Sequence, residues 1–298
     1  MLSRIVPLLF LALMFVSSYA ADPADLFTVR KQVEEARITF SVQDGRGGPV
    51  SGLTRNDIQV VNDGRLVREI TSFYGYENVP IRLTILLDAS DSMSRRFADE
   101  RQMAESLLNS VVRPGLDEAT VISFASKANP VPTVNRIGLR NLKADGPTAL
   151  YDSLFDAMLH LNAVSARPVR RILILFSDGE DNWSAHSLED VIAAAQQADA
   201  AIYPITAHSH RYVYVGDNVL QKLAENTGGH AFFLTNFDKP QLVYSAMQAE
   251  LRAHYVMGFR PSGDSAQAGF HTLRISTRNR KLKVRSRSGY YVEPVINP

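Results

Sequence analysis

The stretch IRLTILLDASDSM, residues 81–93, decides the fold. Ile81 to Leu87 is a nearly unbroken apolar run with β-branched members, the composition of a strand buried on both faces. It ends on the carboxylate of Asp88, and hydroxyls follow at Ser90 and Ser92. A core strand that stops at an acid and two spaced alcohols offers oxygen donors where a parallel sheet opens to ligands.

Outward from that stretch, apolar strands alternate with amphipathic segments. Strands are expected at 82–87, 119–124, 171–176, 200–206 and 230–234, and helices at 97–112, 149–164, 187–198, 217–226 and 239–252. Strands separated by helices predict βαβ units, and so an α/β domain with a doubly wound, mostly parallel sheet. The flanks read differently. Ala36 to Val42 alternates with period two, Asp44-Gly45-Arg46-Gly47-Gly48-Pro49 is turn chemistry, and short strands follow at 58–61 and 67–73. After Arg252 the pattern returns to strands at 254–259, 271–277 and 281–291. The expectation is one small β-sandwich-like domain formed by both chain ends (24–80 and 253–298), with the α/β domain (81–252) inserted between them.

Residues 1–20 are read as a separate object. Met1-Leu2-Ser3-Arg4 gives a positive start, Ile5 to Val16 an apolar run, and Ser18-Tyr19-Ala20 small residues at cleavage positions. The run is too short to span a bilayer, which takes about 20 apolar residues. A cleaved signal peptide is expected, with no membrane span afterwards and a periplasmic or secreted destination. The 298 residues contain no cysteine, which excludes disulfides, thiol catalysis and cysteine-type zinc sites. A net charge of +1 singles out no electrostatic partner.

Three clusters carry chemistry. They are Asp88-Ala89-Ser90-Asp91-Ser92, then the stretch from Asp145 through Thr148 to Asp152, then Ser177-Asp178-Gly179-Glu180-Asp181. Asp88 and Asp178 each close a strand, and Thr148 opens a helix facing the same edge. The donors on offer are carboxylates and hydroxyls, all hard oxygens, a set suited to Mg²⁺, Mn²⁺ or Ca²⁺. Each cluster singly also fits helix capping or turn duty.

The Asp-x-Ser-x-Ser at Asp88, Ser90 and Ser92, the Thr148 of GPTALYDSL and the Asp178 of ILILFSDGED resemble the von Willebrand factor type A domain. These match the five positions of that family's metal-ion-dependent adhesion site. LQKLAENTGGHAFFL (220–234) is also similar to the late part of such domains, and the flanks resemble exported bacterial relatives of the family. The resemblance implies that Ser90 and Ser92 ligate a cation through their hydroxyls and that Thr148 does so directly or through water. Asp88 and Asp178 would bind mostly through water. It further implies a coordination position left for an Asp or Glu of a protein partner, and no enzymatic activity. Asp91 departs from the family pattern, where Gly or an apolar residue is common, and is expected to point to solvent.

Rival readings differ in class. A haloacid-dehalogenase-type, Mg²⁺-dependent phosphohydrolase needs a second aspartate two residues after the first as general acid, and that position is Ser90. Serine hydrolysis lacks a Gly-x-Ser-x-Gly elbow. His208-Ser209-His210 reads as solvated loop histidines rather than a ligand pair. The tail RISTRNRKLKVRSRSGYY (274–291) has basic residues and no acid. Lys281, Lys283, Arg285 and Arg287 alternate with Leu282, Val284 and Ser286, which reads as one strand with a solvated basic face rather than a nucleic-acid site. The remaining alternative is a scaffold whose metal only stiffens the fold.

Overall fold

The protein is described by a computed structural model covering residues 35–76, 80–131, 145–162, 169–207, 214–234, 244–245, 247–248, 250–251, 254–261, 263 and 267–292. The expected signal peptide and His208-Ser209-His210 lie outside the described residues. So does part of the expected helix 239–252.

Fourteen strands follow in order: β1 (Ala36–Gln43), β2 (Ile58–Asn62), β3 (Arg65–Leu66), β4 (Ile70–Tyr76), β5 (Ile81–Asp88), β6 (Glu118–Phe124), β7 (Ala128–Val131), β8 (Arg170–Phe176), β9 (Ala200–Ala207), β10 (Phe232–Leu234), β11 (His254–Phe259), β12 (Gly269–Thr277), β13 (Lys283–Ser286) and β14 (Gly289–Val292). Among the described residues, α-helices α1 (Phe97–Val111), α2 (Leu150–Leu161), α3 (Leu188–Gln197) and α4 (Val215–Thr227) interleave with them, and residues 244–245, 247–248 and 250–251 are helical too.

The central sheet has the order β10-β9-β8-β5-β6-β7, parallel throughout except for β7, which pairs antiparallel with β6. Alternation along β5 explains the layering. Leu83, Ile85 and Leu87 face Phe97, Met103, Ala104, Leu107 and Val111 of α1 together with Met247 and Leu251. Leu86 faces the opposite way, where Leu173, Leu175 and Ile202 meet Leu150, Leu154, Val191, Leu220 and Leu223 from α2, α3 and α4. Both faces are covered, so the strands are apolar at almost every position. Sequence reasoning missed β7; Pro130 within it withholds an amide, which is tolerated because β7 is the sheet's edge.

Both chain ends build the two other sheets, ordered β13-β1-β11-β4 and β14-β12-β2-β3. Ile38, Phe40, Met257 and Phe259 of the first pack with Ile58, Val60, Leu273, Ile275 and Tyr290 of the second in one core. The chain enters the α/β unit from β4 and leaves it into β11. These two are antiparallel neighbours in which His254 stands opposite Tyr76.

The expected single strand 281–291 is corrected. It breaks after Ser286, so that β13 joins the first sheet and β14 the second. At the break Arg287 turns inward. Its Nη1 donates to Gln196 O at 2.8 Å and lies 3.2 Å from Asp199 Oδ1, and its Nη2 donates to Arg37 O at 2.7 Å. Gly289 is required just beyond, since a Cβ there would stand 2.2 Å from the Phe270 ring. The solvated basic face is therefore also corrected. Lys281 and Lys283 are exposed, Arg285 is half-buried, and Arg287 is buried. Arg285 Nε reaches Gln43 Oε1 at 3.2 Å and Glu250 Oε1 at 3.7 Å. These arginines fasten the β-sheets to the α/β unit.

Candidate metal centre

Asp88 and Asp178 are placed by strand ends, Ser90 and Ser92 by the turn after β5, and Thr148 by the approach to α2. Asp88 closes β5 and is fully buried; its Oδ1 accepts the Ser90 amide at 3.0 Å and its Oδ2 accepts the Ser177 hydroxyl at 2.7 Å. The chain then turns so that Ser90 Oγ and Ser92 Oγ lie 3.2 Å apart. Thr148 is buried two residues before α2, and Asp178, two residues past β8, is half-buried. Asp178 is close enough to Asp88 to disfavour the charged form of Asp88. Burial pushes the Asp88 carboxyl up to about 6, with Asp178 adding to the rise and the Ser90 and Ser177 hydrogen bonds opposing it.

Backbone and side-chain bonds fasten the three loops to one another. Asp91 N donates to Gly146 O at 3.0 Å, Gly146 N donates to Asp91 Oδ1 at 3.1 Å, and Asp145 N donates to Ala89 O at 2.8 Å. Asn182 joins the third loop to the second: its Oδ1 accepts the Thr148 amide at 2.9 Å and its own amide donates to Thr148 O at 3.0 Å. Asp91 is exposed, as expected, and its carboxylate also holds the Gly146 amide. On the far side the first turn of α4 packs backbone to backbone on Asp178-Gly179; a Cβ on Gly216 would stand 1.9 Å from the Asp178 carbonyl oxygen.

The two carboxylates each serve a local turn, Asp88 Oδ1 accepting the Ser90 amide at 3.0 Å and Asp178 Oδ1 the Glu180 amide at 3.2 Å, but helix capping does not account for the hydroxyls. Thr148 is not the α2 cap: the N-cap is Ala149, and the first amides of α2 are received by Asp181 Oδ1 at 2.8 Å from Leu150 and 3.3 Å from Tyr151. Ser90 precedes a short 3-10 turn without any side-chain cap bond. Sequence reasoning missed Ser177, Asp181 and Asn182 as organisers. Their polar run beside Asp178 was visible, but not their partners, which lie 31 positions away for Asp181, 34 for Asn182 and 89 for Ser177. Asp181→Ala is expected to cost about 1 kcal/mol in urea unfolding, the usual loss of a helix cap, with an unchanged denaturant slope.

Among the described residues no group of three or more His, Asp or Glu side chains is arranged to hold a metal. At the sheet edge Ser90 bonds both Asp88 and Ser92, Asp178 is near enough to Asp88 to raise its carboxyl, and Thr148 is tied in through its backbone. Such hard oxygens fit a divalent cation of the Mg²⁺, Mn²⁺ or Ca²⁺ kind, and the mutual repulsion of Asp88 and Asp178 is of the sign a cation relieves.

Fold and site together define a doubly wound α/β domain with an oxygen-lined edge at the carboxyl ends of its strands. The von Willebrand factor type A domain model matches residues 83–246, more than half of the chain, and the protein belongs to that family. Curated relatives include a UPF0353 protein of Mycolicibacterium paratuberculosis, 24% identical over 57% of this chain and 58% of that one. A UPF0353 protein of Mycobacterium leprae is 23% identical over 60% of this chain and 63% of that one. The chain thus spans less than two thirds of these relatives' length. Similar solved structures include proximal thread matrix protein 1 of the mussel byssus with a zinc-occupied MIDAS motif, at 16% identity and TM-score 0.49, covering 63% of this chain and 49% of that one. Another is a von Willebrand factor type A protein of Catenulispora acidiphila, at 11% identity and TM-score 0.47, covering 89% and 75%. Family membership supports a role in protein interaction or as a scaffold.

Proposed function

We propose that the protein is an exported, non-enzymatic binding protein that captures an Asp or Glu side chain of a protein partner through a divalent cation, Mg²⁺ foremost. The cation would be held by Asp88, Ser90, Ser92, Thr148 and Asp178. The observation that carries this is the fastening of three distant loops at one sheet edge with hydroxyls that cap no helix. A cation bound there supplies the Lewis acidity that draws in a carboxylate. The protein's own part is to keep that acidity high. Ser90, Ser92 and Thr148 contribute oxygen without charge, and Ser177 and the Ser90 amide hold Asp88 in place. Ser90 hydrogen-bonds Ser92 and cannot serve as a general acid at neutral pH, which argues against phosphohydrolase chemistry.

Trp183, the only tryptophan in the chain, is exposed and adjoins Asn182, so its emission reports on the loop that grips Thr148. Titration with Mg²⁺ or Mn²⁺ is expected to change that emission saturably, and Thr148→Ala to weaken binding at least tenfold while the melting temperature without metal stays within ~2 °C. Capture from envelope extract should retain a partner in Mg²⁺ and release it in EDTA. A parent protein blind to both cations would end this reading. Cation binding without partner capture would favour the scaffold.

A further inference from the structure

Two charged side chains sit against the proposed cation site without belonging to it. Arg96 immediately precedes α1, and its Nη2 lies 3.6 Å from Asp178 Oδ2. The same guanidinium is held by the Ala207 carbonyl at the end of β9 and by Met93 Sδ at 3.6 Å. It is thus lodged at the carboxylate end of the site, where a positive charge is wanted.

Four residues along, on the same side of the first helical turn, comes Glu100. It is fully buried, and neither carboxylate oxygen accepts a hydrogen bond from a described residue. Burial is the main force on it, raising the carboxyl to about 8, and the negative charges of Asp88 and Asp178 add to that rise. Arg96 pulls the other way. An interior acid without a donor is costly to keep. A nonpolar residue would fill the space at less cost, so the position calls for an explanation.

We propose that Arg96 is a resident cation of the site, and that a divalent cation arriving among the five donors drives its guanidinium from Asp178 onto Glu100. This rests on the cation-site reading above. Two positive centres cannot share the half-buried Asp178 without repelling each other. Glu100, one turn along, is the acceptor that keeps the displaced guanidinium paired. In the absence of metal the arginine neutralises Asp178 and lowers cation affinity; with metal, Glu100 becomes ionised and paired. Arg96 and Glu100 would tune cation affinity without ligating the cation.

The test is a double-mutant cycle read by Mn²⁺ affinity in calorimetry, with Trp183 emission as a second readout. Arg96→Gln is expected to tighten Mn²⁺ binding about tenfold, because the competitor is gone. Glu100→Gln is expected to weaken it about tenfold in the parent background and by less than twofold in the Arg96→Gln background, since there is no guanidinium left to receive. Arg96→Lys, which keeps the charge but loses the fork, should fall between parent and Arg96→Gln, and serves if the glutamine variant does not fold. An unchanged dissociation constant in Arg96→Gln overturns the proposal. So does an equal loss from Glu100→Gln in both backgrounds, which would make Glu100 a plain electrostatic contributor. If the parent binds Mn²⁺ and these variants fail to respond, only this inference falls. If the parent binds none, the cation-site reading falls with it.

Discussion

Arg287→Met is expected to destabilise the folded protein by about 3–4 kcal/mol, the range for stripping one partner from a buried polar network. In thermal unfolding that corresponds to a loss of roughly 10 °C for a domain of this size. Methionine keeps most of the stem's volume, so the loss is polar in origin. The Gln196 and Arg37 carbonyls would each lose a donor, and Asp199 its ion-pair partner. Because those groups lie on α3, on β1 and in the turn before β9, the substitution loosens the α/β unit from the sheets as well as costing energy. Lys281→Met and Lys283→Met, at exposed positions of the same basic stretch, should change stability by less than about 0.5 kcal/mol. Urea unfolding of the three variants checks this. Equal effects at 281, 283 and 287 would mean that Arg287 is not the anchor.

In EDTA, the protein should lose stability as pH rises from 6.5 to 8, by on the order of 2 kcal/mol. The group responsible is Glu100. Its carboxyl is raised by burial from 4.5 to about 8, so between those values the folded state holds a proton that the unfolded chain gives up. The stabilisation is therefore complete below 4.5 and disappears as pH climbs through 8. Asp88, raised from 3.8 to about 6, acts with the same sign but is largely spent above 6. His230 and His254 act oppositely. Both are held neutral by burial, with His230 lowered to about 4, so their contribution is present above 6.5 and lost as pH falls. Between 6.5 and 8 the two histidines each offset about 0.4 kcal/mol, so the larger fall from Glu100 sets the sign of the slope. Glu100→Gln should flatten the slope there and be more stable than the parent at pH 8. A parent slope of zero, or a slope that survives Glu100→Gln, would refute the assignment.

The layering of the α/β unit was legible in the sequence because two-faced burial leaves an unmistakable trace. Leu83 to Leu87 are apolar at four of five positions, and the helices between strands carry one apolar stripe each. Asp88 and Asp178 were legible because carboxylates are out of place at the ends of core strands, and Ser90, Ser92 and Thr148 because the Asp-x-Ser-x-Ser and Thr motifs resemble the family's. What escaped notice depends on contacts across the chain. Arg287 reads as one more basic residue of an alternating strand until Gln196 and Arg37 are brought to it. Asp181 reads as part of an acidic turn, yet it caps a helix that starts 31 positions earlier. Asp91 reads as a solvated acid, though Gly146 waits for it 55 positions on. Glu100 is hidden for a different reason. An acid in an amphipathic helix is ordinarily on the wet face, and only packing shows this one inside.

The side-by-side pairing of β4 with β11 has a mechanical consequence. The polypeptide departs for the α/β unit and comes home at the same ladder, so those hydrogen bonds form a short circuit around the inserted part. Tension arriving at Ile70 and Phe259, which are paired at the outer end of that ladder, must unzip β4 from β11 pair by pair before it stretches anything between residues 81 and 251. A copy tethered by its ends would therefore keep the carboxyl edge of its parallel sheet undistorted until that ladder gives way.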